Sequence, residues 1–181
     1  MGLSNAFIEA GRKAAAMVRE AGIRITPEEE RQIVVNDFEL GNLAKEGAQL
    51  LEWVATKRVN VRLIVLLPFQ TLPQHYHKAT ADDPGKEETI RMVSGTLYLY
   101  VPGEENMLYG FIPEGQDPYY TARHEAVLKS GDQLTLEPGT LHWFQSGREG
   151  AVMYSFTSQA RDKLNIFTNP RTIKGCINDL E

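Results

Sequence analysis

The stretch Glu87-Glu88-Thr89-Ile90-Arg91-Met92-Val93-Ser94-Gly95-Thr96-Leu97-Tyr98-Leu99-Tyr100-Val101 is rich in β-branched and aromatic residues and carries Ser94-Gly95 near its middle. It reads as two short strands, 87–93 and 96–101, joined at a glycine turn. The same pattern runs outward from it. Further strands are expected at 49–55, 61–67, 72–77, 124–128, 133–136, 142–145 and 151–157. Pro102-Gly103, Ser130-Gly131-Asp132, Glu137-Pro138-Gly139 and the residues from Gly147 to Gly150 punctuate them as turns. Many strands with no helical pattern between them specify an antiparallel sandwich or small barrel.

Before residue 48 the chain reads differently. Leu3, Phe7, Ala10, Ala14, Met17 and Val18 recur at spacings of three and four, so 3–20 is expected to be a helix, started by Ser4 or Asn5 and ended by Gly22. Thr26-Pro27-Glu28-Glu29 is a good helix start: Thr as cap, Pro in the first turn, carboxylates at the positive end of the dipole. This second helix is expected to reach Val35 or Phe38, and residues 41–47 to hold at most one turn. The chain divides into a helical segment at 1–47, a barrel at 48–160, and an irregular segment at 161–181.

Composition sets the outer limits. The 181 residues suit one domain, and 19 basic against 24 acidic side chains give a formal charge of −5. That balance argues against a nucleic-acid partner. Leu63-Ile64-Val65-Leu66-Leu67 is the longest strongly apolar run, too short for a membrane span, and residues 1–25 lack the apolar core of a secretory signal. The single cysteine, Cys176, excludes an internal disulfide, a thiolate zinc cluster and a CxxC pair. A reducing cytoplasm is the expected compartment.

The chemistry concentrates in three short runs. His75-Tyr76-His77 sets two imidazoles on one strand face, because i and i+2 point the same way. Lys86 and Glu88 share parity in Lys86-Glu87-Glu88-Thr89, and His142 follows the turn of Pro138-Gly139-Thr140-Leu141. Three imidazoles and a carboxylate suit Mn²⁺, Fe²⁺, Zn²⁺, Co²⁺ or Ni²⁺. His75, His77, Glu88 and His142 are therefore the candidate metal ligands. His124 is read as a rim residue, Trp143 and Phe144 as wall and core, and Asp82-Asp83, beside Pro84-Gly85, as a solvated turn.

This arrangement resembles the two cupin motifs: His-x-His, a Glu, a Gly seven residues later (Glu88 to Gly95), then a Pro-Gly turn leading to His. The loop between His77 and Glu88 is longer than usual, and Gly131 and Pro138 are one residue further apart. More narrowly, Asp37-Phe38-Glu39-Leu40-Gly41-Asn42-Leu43, Asp83-Pro84-Gly85-Lys86-Glu87-Glu88-Thr89, Leu97-Tyr98-Leu99-Tyr100-Val101-Pro102-Gly103-Glu104, Leu136-Glu137-Pro138-Gly139-Thr140-Leu141-His142-Trp143-Phe144-Gln145 and Ile166-Phe167-Thr168-Asn169-Pro170-Arg171 resemble the D-lyxose isomerase family. The resemblance implies a mainly β, cupin-type antiparallel barrel or jelly roll with an N-terminal helical extension. It also implies an aldose–ketose isomerase that converts D-lyxose to D-xylulose, and often D-mannose to D-fructose, with Mn²⁺ or a similar ion. The family's metal ligands map onto His75, His77, Glu88 and His142, and its active-site lysine onto Lys86. One departure bears on catalysis. The family's last barrel strand carries a Glu expected to serve in proton transfer, and Ser155 stands in that place here.

Isomerisation takes a proton from the carbon beside a carbonyl and returns it to the neighbouring carbon, through an enediol. It needs a base within hydrogen-bond reach of that proton. Glu88, with a second carboxylate oxygen, and Lys86, on the same strand face, are the candidate catalytic residues; a hydride-shift route stays open. Tyr98, Tyr100, Tyr109, Tyr119 and Tyr120 offer rings for sugar hydroxyls or for packing. The competing class is a metal-binding cupin of another activity, either an Fe²⁺ dioxygenase or a non-catalytic sugar-binding protein. Because cupins pair their edge strands, a homodimer is expected, with a small sugar as substrate and neither nucleic acid nor membrane as partner.

Overall fold

The structure is a computed structural model that describes residues 4–158 and 164–172. Helix α1 spans Asn5–Glu20 after Ser4, and buries Ala10, Ala14, Ala15 and Val18. Helix α2 spans Pro27–Arg31, closed at its start by a capping box in which the Glu29 N–H donates to Thr26 Oγ1 and the Thr26 N–H to Glu29 Oε2. It is shorter than the sequence reading had it. Past Arg31 the chain turns extended, and Val34–Asn36 forms strand β1 against Ala48–Leu50. The β-branched run Ile33-Val34-Val35 favours that pairing over a further helical turn.

Eight more strands follow: β2 (Ala48–Ala55), β3 (Val59–Leu66), β4 (Thr71–His77), β5 (Glu88–Val101), β6 (His124–Lys129), β7 (Gln133–Leu136), β8 (His142–Ser158) and β9 (Asn165–Phe167). All pairings are antiparallel. Here the structure corrects the sequence reading twice. The stretches 87–101 and 142–157 are each one long strand rather than two strands and a turn, and they pair with each other from Glu88–Thr157 to Tyr100–Trp143. Both bend near the middle. The register shifts at Met92/Ser94 and again at Gly95/Leu97, where residues 147–150 of β8 bulge out opposite Thr96. On one side of the bend β8 pairs with β3, on the other with β4. The curled sheet thus becomes two packed faces sharing a corner.

The bulges also reverse which residues point inward. On β5 the buried core set is Ile90 and Met92 before the bend and Leu97 and Leu99 after it; on β8 it is Phe144 before and Met153 after. These side chains meet Leu50, Ile64, Leu66 and Leu72 between the two faces. The opposite side of β2 and β3, with Leu51, Leu63 and Val65, packs under Ala14 and Val18 of α1. A third cluster covers the outer side of the other face, where Tyr100 stacks on Trp143 at 3.7 Å and Tyr120 meets Trp143 edge-on.

Gly95 makes the corner possible. Its φ is +79°, and a Cβ there would lie 2.1 Å from the Gly150 carbonyl oxygen. Gly95→Ala is expected to cost at least about 2 kcal/mol, from left-handed strain of order 1–3 kcal/mol and displacement of β8. A fall in Tm of roughly 5–10 °C by calorimetry would register it; an unchanged Tm would show that the corner can be made without glycine.

Strand β9 was not foreseen in a segment read as irregular. It pairs Phe167, Ile166 and Asn165 with His75, Tyr76 and His77. Cys176 and the rest of 173–181 lie outside the described residues. Among the described residues, no helix is long and apolar enough to cross a membrane.

Candidate metal centre and its cleft

His75 and His77 leave β4 on one face, as the i, i+2 spacing requires, and His142 opens β8 directly opposite His75. The three rings sit with centroids 4.3–5.1 Å apart, and their potential ligand atoms lie within 4.8 Å of one another. All three residues are buried. Each ring has its Nδ1 taken: by the Pro73 carbonyl at 2.9 Å for His75, the Thr140 carbonyl at 2.8 Å for His142, and Asn165 Oδ1 at 2.7 Å for His77. The two carbonyls can only accept, so Nδ1 of His75 and of His142 carries the proton and their Nε2 atoms present lone pairs. Burial, followed by the neighbouring imidazoles, holds His75 well below the usual histidine range. Burial also lowers His142, to about 4. Both are therefore neutral near pH 7, the form that ligates metal.

Glu88 enters from the start of β5. Its Oε2 lies 3.0 Å from His77 Nε2, 3.9 Å from His142 Nε2 and 3.3 Å from Lys86 Nζ, while Oε1 accepts a hydrogen bond from Ser155 Oγ. Burial alone would raise this carboxyl, but Lys86, His77 and His142 together outweigh it and hold Glu88 well below the usual carboxylate range. It is an anion in an enclosed site.

These contacts fit a cation. His142 Nε2 is buried with no hydrogen-bond partner. Nε2 of His77 and Oε2 of Glu88 lie 3.0 Å apart, close enough to hydrogen-bond to each other or to share one ion. Nitrogen and carboxylate donors without sulfur match a first-row divalent ion.

The centre lies along a cleft of about 650 Å³, measured with its open mouth. Phe38, Leu72, Phe144 and Phe167 supply apolar walls, and Lys86, Glu88, Asn60, Arg62, Ser155 and Thr157 supply polar groups. Ser155 is buried and inward, on the side where the sequence places the departure from the family pattern. Tyr154 and Phe156, on either side of it, face outward: Tyr154 against Trp53, and Phe156 half-exposed.

None of the five tyrosines lines the cleft. Tyr100 donates to Glu125 at 2.6 Å and Tyr120 to Glu46 at 2.7 Å. Burial first, then those carboxylates, raises both phenols, so they remain protonated structural groups. Tyr98 and Tyr109 stack on each other at the surface. His124 is a rim residue bonded to the Glu104 carbonyl, and Asp83 caps a turn by accepting from the Gly85 N–H. Trp143 and Phe144 are core and wall, as read. The sequence reading missed Asn165, which orients His77, and the pair Asn60 and Arg62. Two polar residues, Asn60 and Arg62, two apart in an otherwise apolar strand 59–66 were the available signal.

Comparison with known proteins adds the following. The chain is 46% identical over 164 residues, 90% of each chain, to the D-lyxose ketol-isomerase of Cohnella laeviribosi. It is 47% identical over 161 residues, 88% of each chain, to the D-lyxose/D-mannose isomerase of Thermosediminibacter oceani. No protein-family profile matches it. Its fold is similar to that of L-ribose isomerase from Cellulomonas parahominis, with TM-score 0.71 and 16% identity over 94% of this chain and 95% of that one. It is likewise similar to L-ribose isomerase from Geodermatophilus obscurus, with TM-score 0.73 and 17% identity over 92% of each.

Proposed function

This chain belongs to the D-lyxose isomerase family, and from that premise we propose that it is a divalent-metal-dependent aldose–ketose isomerase of free sugars, of the D-lyxose/D-xylulose and D-mannose/D-fructose type. The observation that carries the reading is the convergence of three imidazoles and the Glu88 carboxylate beside Lys86, with His75, Lys86 and Glu88 lining one cleft. His75, His77, His142 and Glu88 would hold the ion, Mn²⁺ by preference. When bound, it would act as a Lewis acid on the oxygens of C1 and C2.

The protein's own groups do the rest. The neutral His75 and His142 keep their lone pairs for ligation. Ser155 restrains Oε1 of Glu88, leaving Oε2 toward the histidines and Lys86. A carboxylate that exchanges one contact for a carbon-bound proton is the available base, and the Lys86 ammonium neutralises charge on the adjacent sugar oxygen. The phenylalanine walls exclude bulk water, which strengthens each of these interactions.

Ser155, where the resembled family carries a carboxylate, favours a second reading: a sugar-binding cupin that turns over slowly or not at all. Incubation of the Mn²⁺-loaded protein with lyxose, mannose, xylulose and fructose separates the two. Ketose or aldose product without O₂ uptake supports the isomerase; O₂ uptake marks a dioxygenase; tight sugar binding without product marks the binding protein. In the same assay Ser155→Glu sets a second carboxylate against Glu88 in place of the Ser155 hydroxyl, and a rate raised about tenfold marks proton transfer through position 155. If every sugar's rate is unchanged while metal is retained, proton transfer does not pass through position 155.

We further propose a homodimer in a reducing cytoplasm. Phe69 of the β3–β4 turn and Phe111 of the β5–β6 loop, 6.2 Å apart, stand exposed, as do Leu108 and Tyr109 of that loop, apolar surface that a second copy would cover.

A further inference from the structure

Four polar residues face each other across two strands on the inner wall of the cleft. The register pairs Asn60 of β3 with Thr157 of β8, and Arg62 with Ser155. All four line the cleft. They lie on the same strand faces as the core residues Ile64 and Met153, positions where packing alone calls for apolar side chains. Arg62 bonds Glu52, and Ser155 bonds Glu88. The other pair is left with unmet capacity. Asn60 Nδ2 donates to Glu52 Oε2 at 2.7 Å, which fixes the amide, since a carboxylate only accepts. Its Oδ1 has no hydrogen-bond partner, and neither has Thr157 Oγ1, although the residues are only 3% and 7% exposed. Buried polar atoms in native folds are rarely left without a partner, and these two line the cleft where a bound hydroxyl can supply it.

We infer that Asn60 and Thr157 form a clamp for one distal hydroxyl of the substrate, on the part of the sugar remote from C1 and C2. Directly opposed cross-strand residues have Cβ atoms about 4.5–5.5 Å apart, so one hydroxyl can span the two. It donates its proton to Asn60 Oδ1 and accepts one from Thr157 Oγ1. On its other edge β8 pairs Thr157 with Glu88, so the clamp lies one strand across from the carboxylate. A sugar lying across β5, β8 and β3 would put its reacting end at Glu88 and the histidines, and its far end at Asn60. The inference rests on the isomerase reading of the cleft. It adds a specificity-determining pair, because a site with buried polar groups rejects a ligand that leaves them unpaired.

The test uses Thr157→Val, which removes the hydroxyl at constant shape, with Thr157→Ser as its conservative rescue. Two readouts are taken on the metal-loaded protein: kinetics with D-lyxose and its 3-, 4- and 5-deoxy analogues, and calorimetric binding of the pentitols ribitol and arabitol. In Thr157→Val, KM for D-lyxose is expected to rise about tenfold with kcat within about twofold, the loss of one well-placed hydrogen bond. Thr157→Ser keeps the wild-type KM. The wild type should discriminate against one deoxy analogue by about tenfold or more in kcat/KM, and Thr157→Val should discriminate no more than about twofold against the same analogue. An unchanged KM in Thr157→Val, or undiminished discrimination, overturns the clamp while leaving the isomerase reading intact. If the wild type converts no sugar, the isomerase reading falls and the pentitols decide. Binding weakened about fivefold or more in Thr157→Val sustains the clamp; equal binding, or none to either protein, removes it.

Discussion

His77→Ala yields a folded protein that has lost its bound divalent metal and its isomerase activity together. His77 is buried, held by Asn165 through Nδ1, and its Nε2 stands 3.0 Å from Glu88. It lies at the end of β4, outside the apolar clusters between and around the sheet faces, so truncation removes a donor without opening the core. Loss of a group that merely orients a ligand costs about 10–100-fold in metal affinity, and loss of a ligand should exceed that. Metal analysis after gel filtration, circular dichroism and the sugar assay on one preparation check all three parts. Stoichiometric metal in the variant would remove His77 from the ligand set.

Glu88→Gln is expected to be the more damaging of the two changes at the Lys86–Glu88 pair. The substitution keeps the shape but removes the anion that faces His77, His142 and Lys86. It therefore weakens metal binding and removes the base in one step, and turnover should fall by more than the roughly 10²–10⁴-fold typical of a single acid–base group. Lys86→Ala should stay within that range and retain its metal. Its indirect effect has a definite sign: without the ammonium, burial pushes Glu88 upward and makes it a poorer anion. Should Lys86→Ala prove as inactive as Glu88→Gln with metal present in both, the proton carrier is Lys86.

Strand parity brought the candidate ligands together on paper before any coordinates. His75 and His77 needed only the period of two, and Glu88 and His142 sat beside glycine and proline turns that fix where strands begin. Parity within one segment could not give the bulge at 147–150, which resets the inward set between His142 and Ser155; the bulge follows from the pairing of β8 with the bent β5. Asn165 could not be found locally, because its role depends on a three-residue strand that exists only as a partner of β4. The second helix was drawn too long for a related reason: Val34–Asn36 is extended because Ala48–Leu50 lies beside it. For the tyrosines at 98 and 100 the sequence leaves sugar contact and packing open, and the structure has a surface stack and a buried stack.

The bent pairing of β5 with β8 also sets the order in which the molecule can be built. It joins Glu88 to Thr157 and Tyr100 to Trp143, so the chain must synthesise and loop out β6 and β7 before its central ladder can close. Contacts this distant in sequence give no return until the loop entropy has been overcome, and such topologies fold slowly. His142 arrives on the same late strand. The donors are therefore scattered in a nascent or partly unfolded chain, and come within reach of one another only at the final closure. An ion captured at that point would act as a latch on a completed fold rather than as a nucleus for it.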